Sequence, residues 1–231
     1  MIDFWQYIKT VTDGQVSPFQ LQVVPPNFNN KLRGSVVELY AEYSKSFDLV
    51  RDIVLLASPR ASTSKLSNDT RRVYWLPWKH AHMTSVSIIE LNQYNCDYFM
   101  TDELTGCRFV VTDQYIAHVA NWAYPPQKGA AEPSDVEKRQ NRIRKEKEYR
   151  ADHRLGNTPS FYRVLSLSNT DDKIPRGIES LNYQLFSYRQ ENPEGAAQVF
   201  GYKDPVSPIG WRFKYLMKDG RHHLNRWHII V

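Results

Sequence analysis

From Arg72 to the C-terminus the apolar residues come in short runs, nearly all closed by Pro, Gly, Asn or Asp. Val73-Tyr74-Trp75-Leu76 stops at Pro77, and Thr84 to Leu91 is rich in β-branched residues and partly alternating. Asp97 to Thr101, Arg108 to Val111 and Tyr115 to Trp122 follow. Beyond Pro159 the pattern returns in Phe161–Leu167, Tyr183–Tyr188, Gln198–Tyr202, Trp211–Leu216 and Leu224–Val231. Runs this short, with turn residues between them, fit strands better than core helices. The aromatic content, 13% with 14 Tyr and 6 Trp, points the same way. The predicted class is α+β: an antiparallel β-sandwich of many short strands flanked by a few helices.

Two stretches depart from the strand pattern. Between Gly34 and Leu56, Val36, Val37, Leu39, Tyr40 and Tyr43 and then Leu49, Val50, Ile53, Val54 and Leu56 contain spacings of three and four. That spacing predicts a helical hairpin or one broken helix. Residues 134–154 predict a charged helix inserted between strands. Ser134 with Glu137 three residues on matches a capping box. Its few apolar residues (Val136, Ile143, Tyr149, Ala151, Leu155) offer too little surface for a core helix, so a solvated helix is expected, or a basic arm for an acidic partner. Val24-Pro25-Pro26-Asn27 reads as irregular, and Ser58–Asp69 as a Ser/Thr-rich surface loop.

The net charge of +5 is uneven, because Asp135 to Arg154 alone holds eight Lys/Arg and five Asp/Glu. A basic balance concentrated in one segment argues against a broad nucleic-acid-binding face, so nucleic acid is not an expected partner. The two cysteines, Cys96 and Cys107, cannot make a disulfide framework, and neither CxxC nor zinc-ligand spacing is present. Neither a metal nor a cofactor is expected. The start, Met1-Ile2-Asp3-Phe4-Trp5-Gln6, lacks the basic and apolar regions of an ordinary secretory signal. No stretch has the length of a membrane span, so no membrane partner is expected.

The chemistry-bearing feature is Cys107, which follows Thr105-Gly106 and precedes the apolar run Phe109-Val110-Val111. His118 lies in a second apolar run after a turn at Thr112-Asp113-Gln114. Two strands folding back on this turn would bring thiol and imidazole together as a nucleophile and its base. Gly106 would let the chain turn and let a substrate approach. The bland alternative is a buried thiol and a core histidine. Cys96 lacks such a setting and reads as structural. His80 and His82 at i and i+2 share a strand face but have no third ligand in sequence; the Trp75, Pro77 and Trp78 grouping reads as the rim of a cleft. His222-His223 and the acidic pairs Asp102-Glu103 and Asp171-Asp172 read as turns.

The segment Thr101-Asp102-Glu103-Leu104-Thr105-Gly106-Cys107 with His118 resembles the Leu-Ser-Gly-Cys…His signature of the cytotoxic necrotizing factor catalytic domain and Burkholderia lethal factor, a family of glutamine deamidase toxins. The likeness covers residues 98 to 122 and, more weakly, Val199-Phe200-Gly201-Tyr202 and Trp211-Arg212-Phe213. Thr105 stands where the family usually has Ser. The resemblance implies that Cys107 is the nucleophile, that His118 is its acid–base partner, and that the backbone carbonyl of Thr101 orients the imidazole. Leu104, Thr105 and Gly106 complete the motif; Asn121, near the end of the second run, carries no assigned role.

The implied organisation is a single deamidase-like domain over 1–231. The implied activity is cysteine-dependent conversion of a glutamine to glutamate on a host protein, a GTPase or a translation-factor helicase in this family. The implied setting is a bacterial toxin or effector, a virulence factor released without an ordinary signal peptide and acting in the host cytosol. Two other readings stay open: another Cys–His acyl transferase (a transglutaminase or protease), or a non-catalytic β-rich binding module with a basic helix.

Overall fold

A computed structural model describes residues 3–26, 33–44, 51–56, 70–80, 82–120, 133–155, 158–166, 182–188, 195–218 and 225–231. The loop expected over Ser58–Asp69, Asn121, Asp171-Asp172 and His222-His223 lie outside them. The described chain is mostly β and forms two sheets. The large sheet contains β1 (Phe19–Val23), β2 (Ser35–Ser44), β3 (Arg51–Leu56), β4 (Thr70–Leu76), β6 (Tyr98–Thr101), β11 (Ala196–Lys203), β12 (Trp211–Lys218) and β13 (Arg226–Ile229), in the order β1-β3-β2-β4-β6-β11-β12-β13. The small sheet orders β10 (Tyr183–Ser187), β9 (Tyr162–Ser166), β7 (Arg108–Thr112), β8 (Tyr115–Val119) and β5 (Met83–Ser87). The helices are α1 (Phe4–Thr10), α2 (Ile88–Gln93) and α3 (Asp135–Asp152).

The strand-rich class is as the sequence predicts, but the sheets are not purely antiparallel. β1 pairs with β3, β4 with β6 and β9 with β10 in parallel, and one sheet curls into a half-barrel. A parallel neighbour needs a long crossover. Between β4 and β6 the chain supplies one by leaving for β5 in the small sheet and returning through α2.

The predicted helical hairpin over 34–56 is a pair of antiparallel strands, β2 and β3. Leu39 and Ala41 are buried on β2, and Ile53 and Leu55 on β3, with half-buried residues between them, a period of two. The spacings of three and four were real, but β-branched Val36, Val37, Ile53 and Val54 and the pairing with β4 decide for strand. Conversely, the second half of the expected Thr84–Leu91 strand is α2. Ser87 caps it, accepting from the Glu90 amide at 3.0 Å.

Three apolar layers separate these elements. Phe99, Phe213, Val199 and Leu76 of the large sheet meet Phe109, Val111, Ile116 and Leu165 of the small one. On the far side of the large sheet, Phe4, Trp5 and Ile8 of α1 pack on Leu39, Ile53, Val73, Phe200 and Trp227. Lys214 reaches from β12 to the C-terminal end of α1, where its Nζ donates to the Lys9 and Val11 carbonyls at 3.1 and 2.8 Å. These are carbonyls that a helix terminus leaves without an intrahelical partner. On the far side of the small sheet lies a third cluster of Val110, Ala117, Val119, Tyr162 and Val164, with Tyr149 of α3 and Leu155 just after it packed against it.

The capping box at Ser134 and Glu137 is formed. The helix that follows is not, however, a solvated one. It buries a polar face, Lys138, Asn141, Arg142, Glu146 and Arg150. Glu146 accepts from the hydroxyls of Tyr115 (2.5 Å) and Tyr162 and faces Arg108, and both Glu146 and Arg108 are 0% exposed. Arg150 donates to the Gln114 side chain and to the Leu155 carbonyl. Burial raises the tyrosine hydroxyls well above their usual pKa, with the Glu146 charge adding to it, so they stay donors. Counting apolar residues missed this docking, because hydrogen-bonded polar groups mediate it.

Removing one partner of a buried ion pair strands the other charge and costs about 3–5 kcal/mol, whereas replacing both with apolar groups is often neutral. Glu146→Leu is therefore expected to lower the midpoint of urea unfolding markedly. Glu146→Leu with Arg108→Met is expected to recover most of that loss, as read by fluorescence-monitored titration.

Candidate active site

The site forms where the chain leaves the large sheet for the small one. On β6, Phe99 points into the layer between the sheets and Tyr98 and Met100 away from it, so Thr101 faces inward like Phe99. The crossing segment, residues 102–107, is pinned along its length. The Asp102 carboxylate, whose pKa burial raises, accepts the Trp78 amide. Glu103 pairs with Lys218. Buried Leu104 exchanges two backbone hydrogen bonds with Ala197, at 2.8 and 3.0 Å. Thr105 is exposed and Gly106 buried. The Cys107 carbonyl accepts the hydroxyl of fully buried Tyr188 at 3.0 Å.

β7 and β8 then form the hairpin expected from Thr112-Asp113-Gln114. The Thr112 hydroxyl accepts the Gln114 and Tyr115 amides and donates to the Tyr115 carbonyl. Strand register decides which residues meet. His118 lies opposite Phe109 on one side and Thr84 on the other. Alternation places Cys107 two residues from Phe109 on the same face, diagonal to His118. Diagonal neighbours lie roughly 7–8 Å apart, within reach of an aromatic side chain. His118 Nε2 is nonetheless buried and without a hydrogen-bond partner, so no S–H···N bond joins the pair. Cys107 is 7% exposed and His118 1%. Neither cysteine is in a disulfide. The chain thus brings thiol and imidazole to one face, both buried and with no hydrogen bond from His118 Nε2 to the sulfur.

The ring's other nitrogen is held firmly. Nδ1 lies 2.7 Å from the Thr101 Oγ1. That hydroxyl's single proton goes to the Leu76 carbonyl, also at 2.7 Å, because a carbonyl can only accept. Nδ1 must therefore be the donor, and Nε2 carries the lone pair. The resemblance assigns this role to the Thr101 carbonyl; in this chain the hydroxyl performs it. The carbonyl is taken by the Gln198 side-chain amide at 2.5 Å. Burial drives the His118 pKa down to about 3, so the ring is neutral at physiological pH.

Just after β4, Trp78 is 42% exposed and meets His80 edge-on at 5.9 Å. The Thr84 hydroxyl anchors this loop by donating to the Pro77 carbonyl. His82 Nδ1 donates to the His80 carbonyl, and no group of three or more His, Cys, Asp or Glu suited to a metal occurs among the described residues. Among the described residues no helix is long and apolar enough to cross a membrane. Sequence reasoning missed Gln198, Tyr188 and the Leu76 carbonyl. Gln198 immediately precedes the Val199–Tyr202 stretch noted for its style; nothing local marks the other two. No known protein-family model matches the chain, and no curated protein matches it.

A buried neutral histidine has a consequence for stability. The folded pKa of about 3 lies below the unfolded value of 6.5, so between those values the unfolded chain binds more protons. The stabilisation is full above pH 6.5 and is lost as pH falls toward 3. By pH 4.5 this site should cost roughly 2–3 kcal/mol relative to pH 7.5. Urea unfolding of wild type and His118→Gln at the two pH values checks it: the variant, lacking the titrating group, should lose less stability on acidification.

Proposed function

We propose that the chain is a cysteine-dependent protein glutamine deamidase, with Cys107 as nucleophile and His118 as general base and acid. The observation that carries this reading is the lone pair of His118 Nε2, buried and unpartnered, on the sheet face that also holds Cys107. A core histidine with a purely structural role normally has both ring nitrogens satisfied, because a buried polar atom without a partner costs about 1–3 kcal/mol. A group waiting to accept a proton fits the vacancy better.

The steps balance as follows. Nε2 takes the thiol proton as Cys107 Sγ attacks the side-chain carbonyl carbon of a glutamine. The tetrahedral adduct collapses with the C–N bond breaking, and Nε2 returns the proton to the leaving ammonia. Water then adds to the thioester with its proton passing to Nε2, the C–S bond breaks, and the thiol is restored beside a new glutamate. Backbone amides at the Gly106-Cys107 turn are the natural donors to the developing oxyanion. Catalytic hydrogen bonds are often long before substrate binds and tighten in the complex. A rotation of the Cys107 side chain, or movement of the crossing segment on substrate entry, would bring Sγ to Nε2.

The substrate is a folded host protein, GTPase or translation-factor helicase being the classes implied by the resemblance. The host cytosol is the matching place of action. Incubation of purified candidates with the protein, followed by intact and peptide mass spectrometry, tests the reading. One glutamine should gain the mass of an amide-to-acid conversion, and Cys107→Ser and His118→Ala should each lower the rate at least about 10³-fold, the scale of losing a triad member. Conversion that persists in both variants removes the proposal. Amine incorporation or chain cleavage at the same thiol would instead identify a transglutaminase or a protease.

A further inference from the structure

β4 ends at Leu76, whose partner in the parallel pairing with β6 is Thr101, and Pro77 and Trp78 follow. The Leu76 carbonyl accepts the one proton of the Thr101 hydroxyl, and this is what leaves His118 Nδ1 to donate. The Leu76–Pro77 peptide has no N–H, because proline carries none, so that plane cannot be anchored through a donor of its own. The next plane is anchored at both ends. The Pro77 carbonyl accepts from the Thr84 hydroxyl at 2.5 Å, and the Trp78 amide donates to the Asp102 carboxylate. The proline ring fixes φ at Pro77, so one dihedral, ψ of that residue, separates the clamped plane from the Leu76 carbonyl.

The two clamping side chains come from beside the groups they align. Thr84, 1% exposed, lies opposite His118 in the pairing of β5 with β8, its hydroxyl 3.5 Å from the His118 carbonyl. Asp102 follows Thr101 directly in the chain.

We infer that Thr84 and Asp102 are positioning residues for His118: by holding the Pro77–Trp78 peptide they keep the Leu76 carbonyl on the Thr101 proton, which fixes Nε2 as the basic nitrogen of the ring. With the clamp released, the Leu76 carbonyl can turn away and the Thr101 proton is free to point at Nδ1. The ring then carries its own proton on Nε2, where it cannot take one from a thiol. As a statement about catalysis this rests on the proposed Cys–His chemistry. As a statement about the ring it needs no substrate.

Conservative variants separate the clamp from a general structural role. Serine at 84 still donates, and asparagine at 102 still accepts through its amide oxygen while lacking the charge. Thr84→Val and Asp102→Ala remove the respective hydrogen bonds. Val164→Ala weakens the packing on the far face of the small sheet without touching the strap.

The measurement is ¹⁵N–¹H correlation of the histidine rings in the uncomplexed full chain at neutral pH, with His118 assigned by its loss in His118→Gln. Wild type, Thr84→Ser, Asp102→Asn and Val164→Ala should show a single Nδ1–H tautomer. Thr84→Val and Asp102→Ala should each show a mixture of the two tautomers, with circular dichroism establishing that they are folded. Two tests need no variant. The inference is overturned if wild-type His118 is protonated at Nε2, or if the wild-type Trp78 amide exchanges with heavy water as fast as an unprotected one. It is overturned equally if folded Thr84→Val and Asp102→Ala keep the single Nδ1–H pattern, or if Val164→Ala shifts the tautomer as much as they do. Failure of the deamidation assay with these spectra as expected would sink the enzymatic reading and leave the positioning of the ring intact.

Discussion

Between the two sheets, where nearly every contact is hydrocarbon on hydrocarbon, the hydroxyl of Thr101 bonds at once to the large sheet through the Leu76 carbonyl and to the small sheet through His118 Nδ1. A polar atom in such a layer is costly unless paired, and the hydroxyl pairs with both of the others. The bridge therefore ties the parallel register of β4 and β6, which sets Leu76 beside Thr101, to the antiparallel register of β8, which sets His118 in the facing sheet. A slip of one residue in either strand would turn one of these side chains to the opposite face. The imidazole's position is thus a property of two sheets at once.

The outer face of the small sheet has a different kind of closure. α3 covers it with charge, and the partner it finds for Glu146 is Arg108, the residue that follows Cys107. Alternation sends these neighbours to opposite faces, Cys107 toward the large sheet and Arg108 toward α3. The start of β7 is consequently clamped from both sides: Tyr188 holds the Cys107 carbonyl, and the Glu146 network with Tyr162 holds the Arg108 guanidinium, which donates to Tyr162 at 3.0 Å. Such networks add modest net stability but strongly disfavour misplacement, since any register that separates them strands a charge. A helix rich in charge thus fixes the backbone on which the thiol sits.

Much of this was legible in the residues. The strands β6 to β9 and β11 and β12 follow the short apolar runs closely, because Pro, Gly and Asn mark where each stops. The hairpin that carries His118, with Cys107 just ahead of its first strand, was readable from the turn at Thr112-Asp113-Gln114, but the expected thiol–imidazole hydrogen bond is not formed. The rest needed distance in sequence to become distance in space. The three parallel pairings depend on which crossover the chain takes. The strand nature of Ser35–Ser44 depends on β4 lying alongside, since Val36, Leu39, Tyr40 and Tyr43 fit a helical period equally well. The docking of α3 depends on Tyr115, Tyr162 and Arg108 awaiting Glu146. The acceptor used by His118, the Thr101 hydroxyl, comes from the facing sheet and becomes a neighbour only once the two sheets pack.

The protonation state of His118 constrains any chemistry at this site. A ring sealed between apolar side chains and holding one proton on Nδ1 can accept a proton at Nε2 only if a counter-charge arrives close by, because desolvation alone holds its basicity far below neutral. A thiolate formed in the same transfer is that counter-charge. On the proposed reading proton and nucleophile are coupled, because an imidazolium buried without a counter-charge is disfavoured. In the proposed reaction this keeps the thiol quiescent until a carboxamide occupies the cleft and draws the sulfur across. On the proposed reading, the burial that depresses the histidine couples reactivity to substrate.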